Sequence, residues 1–211
     1  MRQPTSAARL LAIALITAGC AEPESTPTPS PTAGVTASPQ TDAATARLLD
    51  EVTSLHRAGR YEEGSSLLRG EISRDPERPR LHYNLGVFEA STGSYESAVE
   101  AFGEELARFP DHTDSHRALA VAFVRLGRLE DAQPHFERCI LDQPGDALCR
   151  FELGKSYSTL GMFADARPNL EAAAELRDDA AGYAELALLY RRLGENERAF
   201  TAFSKALADD P

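Results

Sequence analysis

Two cysteines, Cys139 and Cys149, are the side chains best placed for a defined covalent reaction in this sequence. They lie about equally far from Pro144-Gly145, a pair that predicts a turn. If helices flank that turn, antiparallel packing brings the two thiols together. In an oxidising compartment they then form a disulfide. The alternative is that both are small buried residues that happen to be cysteine.

Two histidines, His112 and His116, have the spacing of a metal pair on one helix face, with Asp111 and Asp114 beside them. His116 also falls at a packing position of the repeat described below, the position that His82 occupies one unit earlier. We therefore expect no metal and no cofactor. The sequence contains no glycine-rich phosphate loop, CxxC pair or nucleophile elbow. It predicts no catalytic residues, and we expect that the protein is not an enzyme.

The first twenty residues predict an export signal with a lipid attachment site. Residues 10–18 are mostly apolar, but nine residues are too short to cross about 30 Å of hydrocarbon as a helix. They end in Ala18-Gly19-Cys20, which resembles the lipobox of bacterial lipoproteins. This resemblance implies that Cys20 begins the mature chain and carries acyl chains, and Ala21 implies delivery to the outer membrane, facing the periplasm. The alternative is an ordinary signal peptide with an incidental cysteine.

Residues 21–44 differ in composition from the rest of the chain. Proline, threonine, serine and alanine predominate, and no large apolar residue recurs. Such a stretch cannot bury enough surface to offset the entropy lost on ordering. We predict a disordered tether between the lipid and a folded domain at residues 45–211.

The net charge argues against nucleic acid as a partner. The sequence has 22 basic and 33 acidic side chains, a net charge of −11, and removal of Arg2 and Arg9 with the leader makes it −13. A chain this acidic is repelled by the phosphate backbone of nucleic acid. Its charge also argues against binding a membrane surface through clustered basic residues. No later apolar run is long enough to enter a bilayer. Membrane contact is therefore expected through the lipid on Cys20.

Five glycines define the period of residues 45–211. Between them, apolar residues recur three and four positions apart, which predicts helices with one buried face. Each glycine is expected to end the first helix of a unit in a left-handed conformation. The period predicts five stacked helix–turn–helix units, near residues 45–78, 79–112, 113–146, 147–179 and 180–211. The glycines, 34, 34, 34 and 33 residues apart, are Gly59, Gly93, Gly127, Gly161 and Gly194.

These units resemble the tetratricopeptide repeat family. The second unit shows the pattern as Leu85-Gly86, Gly93, Tyr95, Ala98, Phe102 and Pro110, and the other units keep it in register. The resemblance implies an all-α fold, a right-handed superhelical solenoid in which the first helix of each unit lines a concave groove. The positions that it places in the groove are Arg80, Tyr83, Val87, Arg117, Val121, Arg125, Phe151, Lys155, Leu188, Arg191 and Arg192.

That groove is predicted to be basic and partly apolar, although the chain as a whole is acidic. We expect it to bind a protein or peptide segment of the periplasm or outer membrane that carries acids and a large apolar residue. The alternative is an ordinary scatter of surface arginines.

The last predicted helix is expected to present apolar side chains outward, those of Phe200, Phe203 and Leu207. This surface is either tolerated as it is or serves as a docking face, for example for a second copy.

The combination of leader, tether and repeats indicates a non-catalytic interaction scaffold at the bacterial envelope. Its layout resembles the pilotins of type IV pilus systems, which are short repeat lipoproteins that help the secretin assemble. It also resembles the repeat lipoproteins of the outer-membrane barrel insertion machinery. The alternative is an adaptor or regulator of peptidoglycan enzymes or other envelope enzymes.

Overall fold

The computed structural model describes residues 43–208. The predicted leader, Cys20 and residues 21–42 of the predicted tether lie outside the described residues. Within residues 43–208 there are ten α-helices and no strand, and none of these helices is long and apolar enough to cross a membrane. The helices are α1 Ala43–Arg57, α2 Tyr61–Arg74, α3 Leu81–Ser91, α4 Tyr95–Arg108, α5 Thr113–Arg125, α6 Leu129–Asp142, α7 Ala147–Thr159, α8 Phe163–Arg177, α9 Ala180–Arg192 and α10 Asn196–Ala208.

The helices pair into five successive units, each made of a first and a second helix. Each second helix packs against its own first helix, and α2, α4, α6 and α8 also pack against the first helix of the next unit. Neighbouring first helices also touch, at α3–α5, α5–α7 and α7–α9. The predicted all-α solenoid of five helix–turn–helix repeats is confirmed. The direct contact between first helices indicates that they line the inner side of the stack.

The five periodic glycines end the first helices as predicted. Their φ angles lie between 69° and 82°, a conformation that side chains with a Cβ atom seldom adopt. At Gly93 the amide donates to the Ala90 carbonyl at 3.0 Å, and the following Ser94 amide donates to the Glu89 carbonyl at 2.9 Å. This pair of bonds is the Schellman arrangement, which satisfies carbonyls that the helix end leaves unpaired.

Small residues lie where two helices cross closely. A Cβ atom added at Gly86 would lie 2.6 Å from a ring carbon of Phe102, and one at Gly154 would lie 2.7 Å from Cγ of Leu170. One buried cluster runs from the second unit to the fifth, and a smaller one joins α1, α2 and α3 around Phe88. Because each unit covers the apolar side of the one before it, the stack fixes the spacing of the first helices and of the side chains they present.

Candidate functional site

The first helices carry the predicted groove residues, which we call the inner surface. The long charged side chains there are mostly exposed, whereas the apolar and aromatic ones are half-buried against the core. The exposed members are Arg80, Arg125, Lys155, Arg191 and Arg192, and the half-buried members are Tyr83, Val87, Arg117, Val121, Phe151 and Leu188. The surface thus offers apolar patches between charged groups, which suits a polypeptide ligand better than a small molecule.

Several inner-surface arginines are engaged within the protein. Arg117 donates to Asp114 at 2.7 Å and to Asp146 at 2.9 Å, which links α5 to the start of α7. Arg80 lies 3.9 Å from Asp114. Arg192 donates to the Ser158 carbonyl at 3.0 Å, from α9 to α7. These cations join neighbouring units, so a ligand would have to compete with the carboxylates and carbonyls that they already contact.

Three inner-surface cations remain available. Within residues 43–208, the side chains of Arg125 and Arg191 make no hydrogen bond or ion pair, and that of Lys155 only lies over the Phe151 ring, 5.6 Å from its centre. The first helices also carry three half-buried carboxylates, Asp114, Glu152 and Glu185. The inner surface is therefore mixed in charge, with fewer free cations than the sequence predicted, because orientation between units decides which arginines find partners.

Cys139 and Cys149 form a disulfide with their Cα atoms 6.4 Å apart. It joins the end of α6 to the start of α7, across the boundary between the third and fourth units. Asp146 caps α7 by accepting a hydrogen bond from the Cys149 amide at 2.9 Å, while its other oxygen accepts from Arg117. The three residues are close enough to share a metal ion. However, both sulfur atoms are already bonded to each other, which leaves Asp146 as the one available ligand of the three.

His112 and His116 do not converge on a common point. The Nδ1 atom of His112 lies 2.6 Å from the Ser115 hydroxyl and 4.0 Å from Glu105, whereas that of His116 lies 2.9 Å from Nδ1 of His135. Burial lowers the pKa of His112 and of His135, so both rings favour the neutral form. The structure thus gives these two histidines separate sets of packing and hydrogen-bonding contacts.

A glutamate, a histidine and a serine, the residue types of a hydrolytic relay, lie together at Glu105, His112 and Ser115. Their geometry is not that of a relay. A relay needs the acid and the nucleophile on opposite ring nitrogens, and here both face Nδ1 of His112. Ser115 is fully buried. The trio therefore has neither a proton path through the ring nor access for a substrate, and it acts in packing.

Sequence reasoning missed two partly buried polar contacts that occur at equivalent places in two successive units. The Tyr157 hydroxyl donates to Glu137 at 2.7 Å, and the Tyr190 hydroxyl donates to Glu171 at 2.8 Å. Each bond links a first helix to the second helix of the preceding unit. Burial and the neighbouring carboxylate raise the pKa of both tyrosines to about 12. The signal was available, because a glutamate recurs 34 residues apart with a tyrosine 19 or 20 residues after it.

At the last helix, the three predicted docking residues differ in exposure. Phe200 and Leu207 are 76% and 73% exposed. Phe203 is half-buried, because its ring packs on the main core cluster. The outward apolar surface of α10 therefore centres on two side chains that lie two helical turns apart, with the edge of Phe203 between them.

Comparison with known proteins agrees with this architecture. The sequence matches the Tetratricopeptide repeat family over residues 49–113, 90–147 and 151–211. Among solved structures, MamA from Desulfovibrio magneticus RS-1, residue 41 to the end, has a TM-score of 0.73 at 20% identity, covering 80% of this chain and 96% of that one. A MamA RS-1 double mutant has a TM-score of 0.74 at 20% identity, covering 80% and 95%.

A third solved structure, MamA AMB-1, has 26% identity and a TM-score of 0.69, covering 80% of this chain and all of that one. The two structures at 20% identity support the fold alone. No curated protein sequence matches the chain. The family match spans most of the sequence and coincides with the five helical units, so the chain belongs to the tetratricopeptide repeat family.

Proposed function

We propose that this protein is a non-catalytic scaffold, held at the bacterial envelope, that binds segments of other proteins on its inner surface. The observation that carries the proposal is the set of exposed cations on consecutive first helices, Arg125, Lys155 and Arg191, beside half-buried Val121 and Leu188. A ligand carboxylate gains a charge-assisted hydrogen bond there without displacing an internal partner. An apolar ligand side chain covers the valine and the leucine.

A peptide-display selection on the full chain tests the binding site. We expect selected peptides to carry aspartate or glutamate next to a large apolar residue. In Arg125→Ala/Lys155→Ala, the dissociation constant should rise about tenfold or more, and binding should depend less on salt. The matched control, Arg47→Ala/Arg74→Ala, removes the same charge away from the inner surface. Equal losses in both variants, or no loss in the first, would refute this site.

Attachment to the envelope is the second part of the proposal. The disulfide supports a compartment outside the cytoplasm, where such bonds persist. The predicted lipid on Cys20 supports an anchor in the membrane. In cells fed labelled palmitate, the wild-type chain should incorporate label and fractionate with outer membranes. Cys20→Ser should do neither, and an unlabelled wild-type chain in the soluble fraction would contradict the anchor.

The resemblance to pilotins leads us to propose assistance in assembling an envelope complex as the biological role. Deletion of the gene should then reduce the amount of an assembled outer-membrane multimer and leave the cell-wall composition unchanged. The alternative role, regulation of peptidoglycan enzymes, predicts the reverse. Gel analysis of multimers that resist detergent, alongside chromatography of cell-wall fragments, separates the two roles.

A further inference from the structure

A pocket of about 370 Å³ lies in the middle of the stack, where α6 and α8 flank α7. Its lining from α7 is buried and consists of Leu153 and Tyr157. These residues each come two positions after an inner-surface residue of α7, so the pocket opens on the other side of the stack. We call it the outer pocket. The second helices complete it with Glu137, Ile140 and Leu141 of α6 and Asp165, Pro168 and Asn169 of α8.

Two carboxylates of the outer pocket have no cationic partner among the described residues. Glu137 accepts the Tyr157 hydroxyl at Oε1, and its Oε2 atom makes no hydrogen bond in this part of the chain. The carboxylate of Asp165 makes no hydrogen bond or ion pair within residues 43–208. No basic side chain is among the residues that line the pocket. The outer pocket is therefore a negatively charged recess with a tyrosine at its base.

The third unit shows how the protein fills the equivalent space with its own side chains. Phe123 of α5 is the equivalent of Tyr157, 34 residues earlier. The guanidinium carbon of Arg128 lies 4.6 Å from the centre of the Phe123 ring, and Arg128 donates to Asp131 at 2.7 Å. Asp131 is in turn the equivalent of Asp165. In this unit an arginine thus lies over the ring and is held by an acid.

The fifth unit fills the space in the same way, with the order of the charges exchanged. Tyr190 of α9 is the equivalent of Tyr157, 33 residues later. Arg198 lies 5.8 Å from the centre of the Tyr190 ring and donates to Glu195 at 3.1 Å. A second arginine, Arg167, lies 5.9 Å from the same ring. An arginine and an acid three positions apart in the sequence therefore accompany the ring in both units.

In the fourth unit only the acid of this pair is present. Met162 and Asp165 occupy the positions that hold Arg128 and Asp131 in the third unit. Among residues 43–208, no cation lies over the Tyr157 ring. A guanidinium stacks on an aromatic face and donates paired hydrogen bonds to carboxylates, so it suits such a recess better than an ammonium does. The outer pocket is complementary to an arginine that the described residues do not supply.

We infer that the outer pocket binds an arginine side chain of a partner protein. The guanidinium lies over Tyr157 and donates to Asp165 and to the free oxygen of Glu137. An apolar residue next to that arginine covers Leu141, which is 73% exposed at the edge of the pocket. Residues 21–42 contain no arginine or lysine, so the predicted tether cannot take this place. The site is separate from the inner surface, whose free cations repel a basic segment.

The probe is a labelled peptide, Gly-Ser-Leu-Arg-Leu-Ser-Gly, and fluorescence anisotropy measures its binding to the full chain. It should bind saturably. The same peptide with citrulline in place of arginine keeps the shape without the charge and should bind about tenfold more weakly. Glu137→Gln/Asp165→Asn should weaken binding of the arginine peptide by a similar factor, about tenfold. The matched control, Glu62→Gln/Glu96→Gln, removes two exposed acids from earlier second helices and should bind as the wild type does.

A further variant fills the outer pocket from within and keeps both carboxylates. Met162→Arg restores the arginine–acid pair of the third unit, so its own guanidinium should compete with the peptide and weaken binding about tenfold or more. Met162→Gln replaces the same side chain without adding a cation and should bind normally. The inner-surface variant Arg125→Ala/Lys155→Ala should also bind normally, which separates this test from that of the proposed function.

Four outcomes would overturn the inference. The first is no saturation at about 1 mM peptide, the range of nonspecific contact. The second is equal binding of the arginine and citrulline peptides. The third is unchanged binding by Glu137→Gln/Asp165→Asn, whose folding circular dichroism would verify, or by Met162→Arg. The fourth comes from sedimentation. If the wild-type chain is a dimer and Glu137→Gln/Asp165→Asn is a monomer, then an arginine of a second copy occupies the outer pocket in place of a partner protein.

Discussion

Replacement of Gly64 by alanine should destabilise the protein, although every other unit has alanine at this position. A Cβ atom on Gly64 would lie 1.9 Å from a ring carbon of Phe88, and two more ring atoms lie within 2.6 Å. The Phe88 ring is buried in the smaller core cluster, so it cannot move aside freely. The equivalents of Gly64 are Ala98, Ala132, Ala166 and Ala199.

The expected magnitude comes from two opposing terms. Alanine in a helix interior is favoured over glycine by about 1 kcal/mol. Overpacking a filled core costs about 1–3 kcal/mol, and the short contact to Phe88 places Gly64→Ala at the upper end. The net loss should be about 1–2 kcal/mol in the free energy of unfolding. For a domain of this size, Tm should fall by about 2–8 °C.

Gly70 supplies the matched control in the same helix. Nothing lies within 4 Å of a Cβ atom added there, so Gly70→Ala should stabilise the protein by about 0.5–1 kcal/mol. Urea unfolding followed by circular dichroism measures both variants. If Gly64→Ala raises the unfolding midpoint as Gly70→Ala does, the argument from packing is refuted.

A double-mutant cycle with Phe88 locates the cause of the loss. Phe88→Ala alone removes a buried ring and should cost about 3–5 kcal/mol. Adding Gly64→Ala to that variant places a methyl group in the space the ring has left, so the second change should cost little or nothing. The two losses must therefore be non-additive by about 1–2 kcal/mol. Additive losses would mean that the effect of Gly64→Ala does not arise from Phe88.

Two further results follow from the buried contacts. The Cys139–Cys149 disulfide closes a loop of sequence separation 10, and its reduction should lower the free energy of unfolding by about 2–3 kcal/mol. The control, Cys139→Ala/Cys149→Ala, should have the same stability with and without reductant. A wild-type protein whose stability does not change with reductant would contradict the effect. Burial lowers the pKa of His82, His112 and His135, so the unfolded chain binds more protons and stability should fall as pH drops below about 6.5. Replacing all three by glutamine should flatten that slope in urea titrations at pH 5–7.5, and an unchanged slope would rule out these rings.

The sequence predicted the fold because each unit repeats the same solution to the same packing problem. The glycines at a fixed period required a left-handed residue after each first helix, and all five have a positive φ angle. Gly86 and Gly154 occupy equivalent positions of the repeat, and in the structure both lie at close helix crossings. Each of these signals depends on residues within one unit or its neighbour. In a stack of repeats, such residues are close in space because they are close in the sequence.

The site was harder to predict, because it depends on side-chain pairing between units. The sequence put Arg117 and Arg125 at successive positions of the same groove. In the structure Arg117 reaches Asp146, 29 residues away, whereas Arg125 has no such partner within the described residues. Which arginine finds a carboxylate partner depends on how one unit is rotated against the next. The period of the hydrophobic residues does not encode that rotation. A count of arginines therefore overestimates the charge available to a ligand.

Glu105 shows the limit of the repeat pattern most clearly. It is 1% exposed, yet it sits in the second helix at a position where later units have Cys139 and Ala173. Its carboxylate accepts hydrogen bonds from the amides of Arg80 at 2.9 Å and Tyr83 at 3.1 Å, at the start of α3. The favourable field of a helix N-terminus offsets part of the cost of burying the carboxylate.

This contact also accounts for the backbone at Arg80, which precedes α3 with a φ of 70°. A left-handed arginine is costly, but it turns the amide toward Glu105, 25 residues later. In the fourth and fifth units, Asp146 and Asp179 cap the first helix locally from the residue just before it, so those helix starts can be read from the sequence. In the second unit the cap comes from the following helix. The first unit has Glu71 at the same position, but Glu71 pairs with Arg78 instead. The residue type therefore does not show which glutamate caps a helix, and that role is visible only once the helices are packed.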